Sequence, residues 1–93
     1  DWQSKEYSTE YYLANKYSVL DFNIAPANDF GSDGTAYIQI YIDHNLIYTS
    51  PTITKETGVI NTGGIQIDNA GYLKIVVTLG GYGCTIISDA ILK

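Results

Sequence analysis

The sequence predicts an all-β fold, an antiparallel β-sandwich of jelly-roll type made from seven or eight short strands. Three observations carry that expectation. Ile, Val, Thr and Tyr dominate, with nine Tyr and no Met, and these residues fit a pleated sheet better than a helix. Apolar residues alternate with polar ones at period two in several stretches, the pattern of strands with one buried face. Turn signals recur at short, regular intervals and no run has helical periodicity, which is how sandwiches and barrels read.

The elements follow in order. Asp1 to Glu10 is polar, holds the only tryptophan, Trp2, and reads as a lead-in or a first edge strand. Tyr11-Tyr12-Leu13 is β-prone and Ala14-Asn15-Lys16 turns. Tyr17 to Ile24 alternates, with Leu20, Phe22 and Ile24 expected inward, and Pro26 ends the strand because it cannot donate to a ladder. Asn28 to Gly34 is an acidic, glycine-rich loop. Thr35 to Ser50 is the clearest stretch: Ile38, Ile40 and Ile42 alternate with Tyr37, Gln39 and Tyr41. Asp43, His44 and Asn45 then turn, and Leu46-Ile47-Tyr48 begins the return strand of a hairpin. Thr52 to Thr57 is expected as a polar edge strand and Gly58 to Gly64 as a loop. Ile65 to Asp68 alternates and Asn69-Ala70-Gly71 turns. Tyr72 to Leu79 is the most apolar strand, with Leu73, Ile75, Val77 and Leu79 on one face. Gly80 to Gly83 is a loop, and Cys84 to Leu92 closes the fold.

Ninety-three residues make one domain, 1–93, with a modest core. Hydrophobic residues form 45% of the chain and charged ones 16%, a composition that folds. The net charge is −5, and the five basic side chains, all lysine, are scattered. Nucleic acid has no basic footprint to meet here, and an anionic membrane surface is disfavoured for the same reason. The single cysteine, Cys84, rules out an internal disulfide and is expected as a small core residue.

Three groups of residues are candidate sites. Asp29 and Asp33 alternate in the glycine-containing loop, an oxygen-ligand pattern suited to calcium. Ile40 stands where an EF-hand would place its closing Glu, so an irregular calcium site or a plain turn are the two readings. Tyr37 and Tyr41 share a strand face, with Tyr48 expected near them across the hairpin, and Tyr82 sits in a loop. An aromatic ring can stack on the C–H face of a pyranose, or simply cover a half-buried sheet. His44 lies in the hairpin turn, placed to reach a sugar hydroxyl or merely to shape the turn. With no second histidine, it cannot begin a zinc site. No nucleophile elbow, phosphate loop or zinc motif appears, so the chain is not expected to be an enzyme.

From Tyr11 to Lys93 the chain resembles the NPCBM family, carbohydrate-binding modules found beside bacterial glycoside hydrolases. The residues that carry the resemblance are Tyr12-Leu13 with Lys16-Tyr17, Phe22 to Ile24 leading to Asn28-Asp29, and Tyr37 to Asp43 with Leu46-Ile47-Tyr48. Ile67-Asp68 with Gly71 to Ile75 and the closing Ser88-Asp89-Ala90-Ile91-Leu92 complete it. Ile87 replaces the family's usual tryptophan, Asp43-His44 replaces its Asp-Gly turn, and its N-terminal portion has no counterpart. The resemblance implies a non-catalytic module of a secreted or surface bacterial protein that tethers it to glycan. Neighbouring domains would be its other partners, and related modules hold a structural calcium. A protein-interaction or spacer domain of the same fold, without sugar binding and open to self-association, is the alternative.

Overall fold

The computed structural model describes residues 5–28, 30–81 and 86–93, leaving aside the side chain of Ile87. The strands are β1 (Lys5–Tyr12), β2 (Val19–Pro26), β3 (Thr35–Ile42), β4 (Asn45–Thr49), β5 (Ile60–Asn61), β6 (Ile65–Gln66), β7 (Tyr72–Gly80) and β8 (Ile86–Leu92). They form two antiparallel sheets of a β-sandwich, with no helix among the described residues. The first sheet runs β1-β7-β3-β4. In the second, β2 pairs with β8 over Leu20 to Pro26 and with the short β5 and β6 at Asn23, Ile24, Val19 and Leu20. A strand has only two edges, so β8 holds one edge of β2 while β5 and β6 share the other. The second sheet is therefore three strands wide beneath a first sheet of four.

Period-two alternation builds the core as the sequence predicts. Leu20, Phe22 and Ile24 of β2 face Ala36, Ile38 and Ile40 of β3, all at 2% exposure or less. The leucine, isoleucine and phenylalanine side chains among them each contribute about 1.5–3 kcal/mol of burial free energy. Leu73 is buried with them, while Ile75, Val77 and Leu79 pack against this core but remain half-buried. Val76 is also buried, on the outer face, where the register sets it between Ser8 and Gln39. Phe30 closes the core from the acidic loop at 2% exposure. Among the described residues, Ser50 is the buried polar exception. Its Oγ accepts from the Ile38 N–H at 2.9 Å and donates to the Pro51 carbonyl at 2.9 Å, extending the ladder one step past β4.

Several expectations change. Lys5–Tyr12 is one continuous edge strand, the second of the two readings for the first segment, and Tyr11-Tyr12 belongs to it rather than to a separate piece. Thr52 to Thr57 is not a strand: only Ile53 bridges to Ala36, and the Thr57 N–H then turns back to the Thr54 carbonyl. The expected loop at Gly58 to Gly64 contains β5. Tyr48 pairs with Ile40 and so packs on the core side, away from Tyr37 and Tyr41. A bulge explains how β4 then recovers: the register slips between Ile40 and Tyr41, bringing Leu46 opposite Tyr41. Cys84 lies outside the described residues.

A platform of aromatic rings on three interlocked turns

One end of the sandwich is built from three turns, each with two consecutive left-handed residues. They are Ala14 and Asn15 (φ 55° and 57°), Asp43 and His44 (47° and 71°), and Asp68 and Asn69 (46° and 57°). Asn and Asp tolerate this region because their short polar side chains bond locally. The Asp43-His44 pair is the two-residue hairpin turn whose positive φ values match the twist of β3 and β4.

Side chains tie the turns together. The Asn15 amide donates to the Asn69 carbonyl at 2.8 Å. The Ser18 hydroxyl donates to Asn69 Oδ1 at 3.3 Å. Asp43 Oδ1 accepts from the Gly71 N–H at 3.1 Å and from the Tyr72 N–H at 2.9 Å. Glycine at Gly71 eases this approach, because a Cβ there would stand 3.3 Å from Asp43 Oδ1 and the carboxylate would have to give by a few tenths of an ångström. The carboxylate of a turn between β3 and β4 thus fixes the first residue of β7.

What it fixes is an aromatic surface. Tyr72 pairs with Tyr12 of β1, and their rings lie 5.2 Å apart, tilted by 47°. On the other side of Tyr72 the His44 ring lies at 6.4 Å, with its plane 28° away. Tyr12 is 67% exposed and Tyr72 44%. The next row across the same face is Glu10, Lys74, Tyr41 and Leu46, each set opposite the next by the register. Lys74 Nζ sits 5.5 Å from the centre of the Tyr41 ring, a cation–π contact that holds the ammonium beside the platform. Together these rows offer electron-rich ring faces next to a donor, Lys74, and an acceptor, Glu10. Polarised C–H bonds and hydroxyls are the groups that such a surface takes.

The structure brings Tyr41 and His44 to this end, as two of the four aromatic or imidazole candidates from the sequence. Tyr37 shares the outer face but stands farther along β3, opposite Thr78, and is half-buried. Tyr82 and Asp29 lie outside the described residues. Asp33 is exposed in its loop, and no three His, Cys, Asp or Glu side chains converge to hold a metal among the described residues. Tyr12 and Tyr72, the centre of the platform, were missed by sequence reasoning. Alternation did carry a signal for Tyr72, which has the opposite parity to the buried Leu73. Its partner Tyr12 becomes visible only when β1 is laid against β7.

No family model and no curated protein matches the chain. Two solved structures share its fold. One is the M60 catalytic domain with the CBM51-1 and CBM51-2 domains of Clostridium perfringens ZmpB, at a TM-score of 0.63 and 12% identity over 92% of this chain. The other holds CBM51-2 in complex with GlcNAc and INT domains of the same protein, at a TM-score of 0.64 and 13% identity over 91% of this chain. The chain spans 10% and 20% of the lengths of those chains. The likeness is one of fold: a β-sandwich found in structures that contain carbohydrate-binding modules.

Proposed function

We propose that this domain is a non-catalytic carbohydrate-binding module, of the type the NPCBM resemblance suggests, that tethers a secreted or surface bacterial protein to glycan. The observation that carries the reading is the exposed platform of Tyr12, Tyr72 and His44, flanked by Lys74 and Glu10. Tyrosines left solvent-facing on a shared strand end, and braced by a carboxylate, form a surface prepared for a flat partner. A pyranose presents such a face, with hydroxyls around its rim for Lys74 and Glu10. The platform is open rather than enclosed, so a single site binds weakly and gains strength from linked copies. The likeness to structures with carbohydrate-binding domains supports this reading, since one of them was solved with GlcNAc.

A glycan array followed by calorimetry on the best hit tests it. Tyr72→Ala and Tyr12→Ala should each weaken that hit about tenfold, or about 1.4 kcal/mol, with the fold intact by circular dichroism. A blank array, or a hit that neither substitution weakens, would remove the glycan reading.

A further inference from the structure

We propose that the aromatic platform is one end of a longer site, and that an unbranched, uncharged glycan chain lies from it along the outer face of the first sheet. The inference rests on the glycan reading above and extends it from a single sugar to a chain.

The register lays three further rows behind the Tyr12–Tyr72 pair. Lys74 and Tyr41 form the first, Val76 and Gln39 the second, and Thr78 and Tyr37 the third. Ser8 and Glu6 continue the last two rows onto β1. From Tyr72 to Thr78 is six residues of strand, a track of about 20 Å, or about four linked pyranose rings. Tyrosine rings stand at both ends of this track and again at Tyr41, with the Gln39 amide between Tyr41 and Tyr37. Val76 is buried between Ser8 and Gln39, so the middle of the track has an apolar footing rather than a gap.

The hydrogen-bonding groups of this face are unspent. Among the described residues nothing bonds the Gln39 amide, the Ser8 hydroxyl or the Tyr37 hydroxyl. Thr78 Oγ1 is buried with no partner, a state that calls for a water or a ligand group beside it. The outer face of the second sheet differs. There the Asn61 amide donates to Asn23 Oδ1, and Lys93 pairs with Asp21 at 2.7 Å. A glycan supplies what the first sheet lacks: hydroxyls for the amide and hydroxyl groups, and C–H faces for the rings. A protein partner fits less well, because Lys, Glu and Ser are depleted from the cores of protein interfaces and this face carries Glu6, Ser8, Glu10 and Lys74. Charge narrows the class further. Two carboxylates, Glu6 and Glu10, stand against one ammonium, Lys74, in a chain of net charge −5. Like charges brought together across an interface are costly, so a glycan bearing carboxylates or sulfates is rejected.

Ladders of one to six residues of β1,4-linked GlcNAc, glucose, mannose and xylose test this by calorimetry, with hyaluronan hexasaccharide as the anionic counterpart. The best ladder should gain at least tenfold in affinity between disaccharide and tetrasaccharide, and little beyond. Tyr37→Ala and Gln39→Ala should each bring the ratio of hexasaccharide to disaccharide affinity down toward one, with the circular dichroism spectrum unchanged. Tyr72→Ala should instead weaken every length. In nuclear magnetic resonance spectra the hexasaccharide should shift the Tyr37 and Gln39 signals, and the disaccharide should leave them in place. Equal affinity at all lengths, a length gain that survives both substitutions, or equal binding of hyaluronan would overturn the proposal and leave the platform reading standing. So would ladders that fail to bind while an array shows a terminal sugar as a hit. A blank array would overturn both.

Discussion

Asp43 is an exposed turn residue whose carboxylate bonds a strand from elsewhere in the chain, and replacing it with glycine isolates that function. Glycine adopts φ 47° without strain, so Asp43→Gly removes the carboxylate while leaving the turn conformation available. Two hydrogen bonds disappear, from the Gly71 and Tyr72 N–H groups. Bonds to a charged acceptor are worth about 1.5–3 kcal/mol when shielded, but this group is exposed and water replaces it in part, so about 1 kcal/mol each is appropriate. The expected loss is about 1–2 kcal/mol, which for a domain of this size lowers the melting temperature by roughly 5–15 °C. Asp43→Asn keeps an oxygen acceptor and tolerates the left-handed region, so it should lose about half as much. Calorimetric melting of the three proteins reads both numbers. Because the same bonds set Tyr72, affinity for any glycan found on the array should fall in the same order. If Asp43→Gly melted with the parent, or if Asp43→Asn cost as much as Asp43→Gly, the claim that this carboxylate locks β7 would be refuted.

Two more outcomes follow from contacts described above. Ser50→Ala strands the buried Ile38 N–H and should cost about 1–3 kcal/mol, read as a lower denaturation midpoint at unchanged slope; Ser50→Thr, which restores the hydroxyl, should recover part of it. Gly81→Ala should destabilise more than a surface substitution, because φ is +88° there and a Cβ would stand 2.8 Å from the Asp33 carbonyl oxygen; chemical denaturation that found the two proteins equal would count against this packing.

Much of the sandwich was legible because alternation is a local property. Leu20-Phe22-Ile24 and Ile38-Ile40 announce their buried face to any reader of the chain, and the structure buries both sets. What failed was whatever depends on a distant partner. Ile60-Asn61 is a strand only because Asn23 and Ile24 lie beside it, and Thr52 to Thr57 has the composition of an edge with no neighbour along most of its length. Tyr48 was misplaced because a bulge reset the parity of β4. Phe30 was legible in hindsight, as a large apolar side chain in an otherwise polar loop. The candidate site was half visible: His44 and Tyr41 came from the hairpin, whereas Tyr12 and Tyr72 meet across a pairing that periodicity cannot specify.

That pairing has a consequence for how the domain is made. Tyr12 sits opposite Tyr72, and Leu20 opposite Leu92. Apart from the β3–β4 hairpin, the long ladders all wait on β7 or β8: β1 and β3 pair with β7, and β2 pairs with β8. A ribosome emitting this chain releases β1 and β2 well before their partners exist, so neither can be paired by segments at hand. The hairpin can form early, but the two sheets wait for β7 and β8. Closing such large loops is entropically costly and slow. Until β7 and β8 emerge, β1 is unpaired and β2 meets only the short β5 and β6, so most of the ladder forms late in the synthesis of these strands.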